Sequence, residues 1–87
     1  MKKTVLVTGA TSGIGEACAH RFAQGGYNVI ITGRRAPLLA ELRKKLEAEG
    51  AKVLALAFDV RNRAAATKAI ESLTVEWHDI DVLINNE

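Results

Sequence analysis

Thr4-Val5-Leu6-Val7-Thr8-Gly9-Ala10-Thr11-Ser12-Gly13-Ile14-Gly15 is the stretch on which the reading of this chain turns. A short apolar run, Thr4 to Thr8, breaks into a glycine-rich turn, and the turn opens a segment of helical period. A strand, a glycine turn and a helix N-terminus together offer unpaired backbone N–H groups and the positive end of a helix dipole to an anion. Gly9 lets the chain leave the strand sharply. Gly13 lacks a side chain where the backbone must approach a diphosphate, and Gly15 allows the helix to pack closely. Thr11 and Ser12 can add hydroxyl donors. A bare tight turn would not need three glycines in the eight residues from Thr8 to Gly15, so the stretch predicts a dinucleotide site.

Outward from the turn, the pattern repeats. Asn28 to Thr32, Lys52 to Phe58 and Asp81 to Asn85 are short runs rich in Val, Ile, Leu and Ala. Without polar alternation, such runs suit strands covered on both faces, as in a parallel sheet. Three segments of helical period lie between them. Ile14, Ala17, Cys18, Arg21 and Phe22 mark one face of the first, which stops at Gly25-Gly26. Leu39, Leu42 and Leu46 form the stripe of the second, which Pro37 can open and Gly50 can end. Ala66, Ile70, Leu73 and Trp77 form the stripe of the third. The order is β-α-β-α-β-α-β. Right-handed crossovers then predict an α/β, Rossmann-type doubly wound parallel sheet of strand order 3-2-1-4, one domain over residues 1–87.

Composition sets the outer limits. The chain has 87 residues, 48% hydrophobic and 25% charged, which is ordinary for a folded domain and argues against disorder. One cysteine, Cys18, excludes an internal disulfide framework and points to a reducing cytoplasm. The net charge of +2 comes with no basic block or aromatic ladder, so no nucleic-acid partner is expected. Val5-Leu6-Val7 is too short for a signal peptide or a membrane span.

The end of the second strand chooses between cofactors. An acidic residue there usually bonds the adenosine ribose hydroxyls and selects NAD. Here the stretch reads Thr32-Gly33-Arg34-Arg35, with no carboxylate nearby. Two guanidiniums can grip a 2′-phosphate through charge-assisted forks and stack on the adenine, so NADP(H) is the expected cofactor.

The spacing Thr8-Gly9-x-x-x-Gly13-x-Gly15 resembles that of the short-chain dehydrogenase/reductase family, and the resemblance runs along the chain. Asp59-Val60, after the third strand, looks like the family's adenine-contacting pair. Asn85-Asn86, after the fourth, matches the first half of its Asn-Asn-Ala-Gly motif, although Glu87 departs from it. The resemblance implies a cofactor site built from Gly9, Ala10, Thr11, Ser12, Gly13, Ile14, Gly15, Arg34, Arg35, Asp59, Val60 and Asn86. A narrower resemblance, carried by Gly33-Arg34-Arg35, Leu39, Leu42, Asp59 to Ala65 and Glu76-Trp77, is to bacterial NADP-dependent 3-hydroxy acid dehydrogenases acting on serine-like substrates.

Family chemistry needs a serine, a tyrosine and a lysine four positions on, so that a proton moves at the substrate oxygen while hydride passes at the nicotinamide. No such set occurs in these 87 residues: Tyr27 precedes the second strand, and position 31 is Ile31. The resemblance implies roughly the first third of a family member, truncated before its catalytic segment and not catalytic alone. A nucleotide-binding or edge-strand regulatory module, or an inert remnant, are the alternatives. With no fifth strand, Val82-Leu83-Ile84 is expected to be an uncovered edge that favours self-association. Cys18 is expected in the core, Glu47 and Glu49 on a solvated face, and Asp79 and Asp81 in a turn or cap. His20 and His78 lack metal-ligand spacing.

Overall fold

Thr4, Val5, Leu6, Val7 and Thr8 are all buried, as befits a strand covered on both faces. This is β1 (Thr4–Thr8), and the computed structural model, which describes residues 2–59 and 61–86, places it inside the sheet. The other strands are β2 (Asn28–Gly33), β3 (Val53–Ala57) and β4 (Val82–Asn85). Their order is β3-β2-β1-β4, every neighbouring pair parallel. Val5 sits opposite Val29 on one side and Val82 on the other, and Val29 opposite Val53.

The helices are α1 (Gly13–Gln24), α2 (Ala36–Ala48), α3 (Arg63–Glu71) and the one-turn α4 (Val75–His78). Side chains alternate across the sheet, so each face receives its own cover. Val5, Val7, Val29, Ile31 and Val53 meet Ala19 and Ala23 of α1 and Leu39, Leu42 and Leu46 of α2. On the opposite face, Leu6 and Ile30 meet Trp77 of α4, with Leu54, Leu56, Leu73 and Ile80 packed around them. The α2 stripe is thus the expected one.

Two helices differ from their sequence reading. In α1 the buried residues are Gly15, Ala19 and Ala23, whereas Ile14 is 73% exposed and Ala17 and Arg21 face solvent. Close packing of a helix on a sheet favours the smallest side chains at spacings of four, and bulk is then excluded from that face. Cys18 is only partly buried and Phe22 packs from the rim, its ring edge-on to Tyr27 at 4.8 Å. The third helix is interrupted. Ser72 Oγ donates to the Ala69 carbonyl at 2.7 Å, and the Leu73 N–H turns to Ile70 instead. The chain restarts at Thr74, and Trp77 enters the core from α4, leaving Ile70 exposed.

β4 lies at the outer edge beyond β1, with Val82 and Ile84 half-buried and Leu83 60% exposed. Asp81 acts as a cap: its Oδ2 accepts from the Thr4 N–H at 2.8 Å and ties the start of β1 to that of β4. Among the described residues, no helix is long and apolar enough to cross a membrane.

Candidate functional site

The turn after β1 is built by backbone pressed on backbone. Gly9 has φ +59°, and a Cβ there would stand 2.0 Å from the Asn86 carbonyl oxygen. A Cβ on Gly15 would stand 2.2 Å from the Gly9 carbonyl oxygen. Neither position has room for a side chain, because the turn, the first turn of α1 and the end of β4 converge there. Gly13 is different: a Cβ would meet nothing within 4 Å. Its missing side chain leaves a clear approach to the helix N-terminus from outside the protein.

Asn86 fastens the turn. Its backbone N–H donates to Thr8 Oγ1 at 3.0 Å, and Nδ2 donates to the Gly9 carbonyl at 3.1 Å and to Ser12 Oγ at 2.5 Å. Thr8 Oγ1 in turn donates to Asn85 Oδ1 at 3.0 Å. The Ser12 hydroxyl donates to the Gly9 carbonyl at 2.9 Å and does not cap α1. Asn62 behaves in the opposite way at α3, where its side chain accepts from the Ala65 N–H at 3.1 Å. The first N–H groups of α1, at Gly13, Ile14 and Gly15, therefore have neither an intrahelical partner nor a side-chain cap. That is the donor set of an anion site.

A cavity of about 290 Å³ opens beside this turn, lined by Gly9, Thr11, Ser12, Gly33, Arg34, Phe58, Asp59, Arg61 and Asn86. Of the residues singled out from sequence, Gly9, Thr11, Ser12, Arg34, Asp59 and Asn86 meet here. Gly13, Ile14 and Gly15 form the adjoining helix start. Ala10 is fully buried under the turn, its N–H donating to the Thr32 carbonyl at 3.0 Å. Arg35 is the N-cap residue of α2, outside this lining, and Val60 lies outside the described residues.

Phe58 and Arg61 were not singled out as site residues from sequence. Phe58 is carried in at the end of β3, its N–H donating to the Gly33 carbonyl at 2.8 Å. Arg61 could have been found from its spacing, since an arginine two residues after an aspartate can close an Asx turn. It does so here. The Arg61 N–H and Nε donate to Asp59 Oδ1 at 2.9 and 3.1 Å, and an Nη donates to Oδ2 at 3.0 Å. These hydrogen bonds, with the added charge of Arg34, pull the Asp59 carboxyl down to about 2.

The cavity, with two guanidiniums and one ionised carboxylate in its lining, therefore adjoins the unpaired backbone donors at the start of α1. Such a set suits a ligand that carries phosphates at one end and a hydrogen-bond donor at the other. Among the described residues, no three His, Cys, Asp or Glu side chains gather as a metal site.

Comparison with known proteins agrees with this geometry. The chain is 52% identical over 82 residues to the NADP-dependent 3-hydroxy acid dehydrogenase of Salmonella typhi, covering 94% of this chain and 32% of that protein. The crystal structure of serine dehydrogenase from Escherichia coli superposes with a TM-score of 0.84 at 49% identity, over 92% of this chain and 36% of the other. The closed form of serine dehydrogenase complexed with NADP+ superposes with a TM-score of 0.83 at 49% identity, over 92% and 31% of the two chains. This chain thus spans about a third of the length of the curated relatives it matches. The short chain dehydrogenase family profile matches residues 3–87, from before β1 through the turn, Arg34, Asp59 and Asn86, and the chain belongs to that family.

Proposed function

We propose that residues 1–87 form one domain, the NADP(H)-binding front section of a short-chain dehydrogenase, and hold the adenosine-diphosphate end of the cofactor. The observation that carries this reading is the uncapped N-terminus of α1, opened by Gly13, beside a cavity lined by Arg34. The N–H groups of Gly13, Ile14 and Gly15 and the hydroxyls of Thr11 and Ser12 take the diphosphate, over a turn shaped by Gly9 and Ala10. Arg34 takes the 2′-phosphate, and Arg35 adds charge from the N-cap of α2. Asp59 faces the adenine, and Asn86 closes the far wall. The cofactor, when bound, supplies hydride chemistry.

None of the residues in this chain is assigned a catalytic role. The kinship to 3-hydroxy acid and serine dehydrogenases supports a hydroxy acid as substrate of the complete protein. Calorimetric titration with NADPH and NADH tests the cofactor assignment. NADPH binds more tightly to the unaltered chain, and Arg34→Ala, or Arg34→Asp with Arg35→Ala, removes that preference. Equal losses for both nucleotides would overturn it.

The exposed Leu83 on the outer edge of β4 supports a second reading, pairing of that edge with another copy. Sedimentation at rising concentration tests it, and a monodisperse monomer throughout would refute it.

A further inference from the structure

Arg61 donates three hydrogen bonds to one carboxylate at the rim of the cavity, where it belongs to no core cluster. A half-buried aspartate in the loop after a strand ordinarily samples several rotamers. Asp59 cannot, because its own loop grips it from the backbone N–H at Oδ1 and from a planar fork across both oxygens. We propose that Arg61 is a positioning residue of the nucleotide site: it fixes the Asp59 carboxylate so that it accepts a hydrogen bond from the exocyclic amino group of a bound purine, and thereby makes the pocket prefer adenine to hypoxanthine nucleotides. This rests on the NADP(H) reading above.

The acceptor count supports it. An ionised carboxylate offers about four lone-pair sites. Arg61 uses two at Oδ1 and one at Oδ2, so the remaining capacity is at Oδ2. A group that can only accept must meet a donor. The amino group of adenine satisfies it, whereas the keto oxygen of hypoxanthine sets two acceptors against each other. The fork also cancels a negative charge that would otherwise repel the cofactor's phosphates. Arg34, facing Asp59 from the end of β2, and Arg61 are the charged groups that share the cavity lining with it. The low position of the Asp59 carboxyl means that it stays an acceptor throughout the neutral range.

Titration calorimetry with NADPH and with its hypoxanthine counterpart, in which a keto group replaces the adenine amino group, tests the assignment. The unaltered chain prefers NADPH by about tenfold, the scale of one hydrogen bond to a charged group. In Arg61→Ala the preference falls to about threefold or less, and Arg61→Lys, which keeps the charge but loses the fork, recovers only part of it. Arg34→Ala weakens both nucleotides by the same factor and leaves their ratio unchanged. A merely structural role for Arg61 would weaken both nucleotides equally. An Arg61→Ala chain that keeps the original ratio overturns this proposal while leaving the NADP(H) reading intact. Absence of binding by either nucleotide to the unaltered chain overturns both.

Discussion

Asn86 and Gly9 are 77 positions apart, yet the Asn86 Nδ2 donates to the Gly9 carbonyl at 3.1 Å and closes the glycine turn against the end of β4. The same amide group donates to Ser12 Oγ at 2.5 Å. Asn86→Ala removes both hydrogen bonds and is expected to cost about 1 kcal/mol, because Gly9 keeps the Ser12 donors. Asn86→Asp puts an acceptor where a donor stood and should cost more. Thermal unfolding checks the order: Asp below Ala below Asn, with roughly 4–8 °C between steps of 1 kcal/mol in a domain of this size. An Asp variant as stable as the native chain would mean that the amide does not hold the turn.

The three glycines of the turn should separate into two classes. Gly15→Ala places a methyl 2.2 Å from a backbone oxygen and Gly9→Ala one 2.0 Å from another, so both variants should lose stability. Gly13→Ala meets open space and gains helix propensity, so its stability should be unchanged or higher by up to about 1 kcal/mol. Its NADPH affinity should nevertheless fall by about tenfold or more, because the methyl stands where a diphosphate approaches. Urea midpoints and NADPH titrations on the three variants check this. A Gly13→Ala chain that binds as tightly as the native one would remove Gly13 from the approach path.

Local features of the site were legible from sequence, and those depending on distant contacts were not. The strand, the turn and the start of α1 are contiguous, and their residue types state what the backbone must do. The strand order follows from short right-handed crossovers. On α1 the hydrophobic period points to the wrong face because size decides there: Gly15, Ala19 and Ala23 approach the sheet and Ile14 cannot. The break between α3 and α4 depends on one hydroxyl, Ser72 Oγ, taking a carbonyl that a continuing helix would use. Glu49 is exposed, as its place on a solvated face predicts, but it also bridges to α1 through His20 and Gln24. No window of sequence contains both partners of that bridge or of the Asn86–Gly9 contact.

Trp77 is the anchor of the second face. It is the largest buried side chain against Leu6 and Ile30, delivered by a helix of four residues. Trp77→Ala should cost about 3–5 kcal/mol, enough to unfold much of a domain of ordinary marginal stability. Trp77→Phe keeps an apolar ring in place and should cost less. Lys52, whose Nζ lies 5.5 Å from the ring centroid and which pairs with Glu76, is half exposed. Lys52→Ala should therefore cost less than about 1 kcal/mol. Denaturant midpoints for the three variants check the ranking, and a Lys52 effect rivalling that of Trp77→Ala would show that the ion pair, not burial, holds α4.

The bridge between α1 and the end of α2 should make stability depend on acidity. His20 Nδ1 lies 2.5 Å from Glu49 Oε2, and Gln24 Nε2 donates to Glu49 Oε1 at 2.9 Å. The Gln24 hydrogen bond first, and then His20, hold the Glu49 carboxyl below its ordinary value of 4.5. A carboxyl lowered in the folded state binds its proton more readily when unfolded, so its stabilisation is complete above the ordinary value and disappears as pH falls through the folded one. Glu49→Gln should therefore melt below the native chain near neutral pH, and the gap should close as pH falls through the lowered value of the folded carboxyl. The difference should be small, because the pair is solvent-accessible and salt screens it. Paired melting curves from neutral to acidic pH, at low and high salt, check this. A gap that stays constant with pH would show that the Glu49 contact acts through packing and not through its charge.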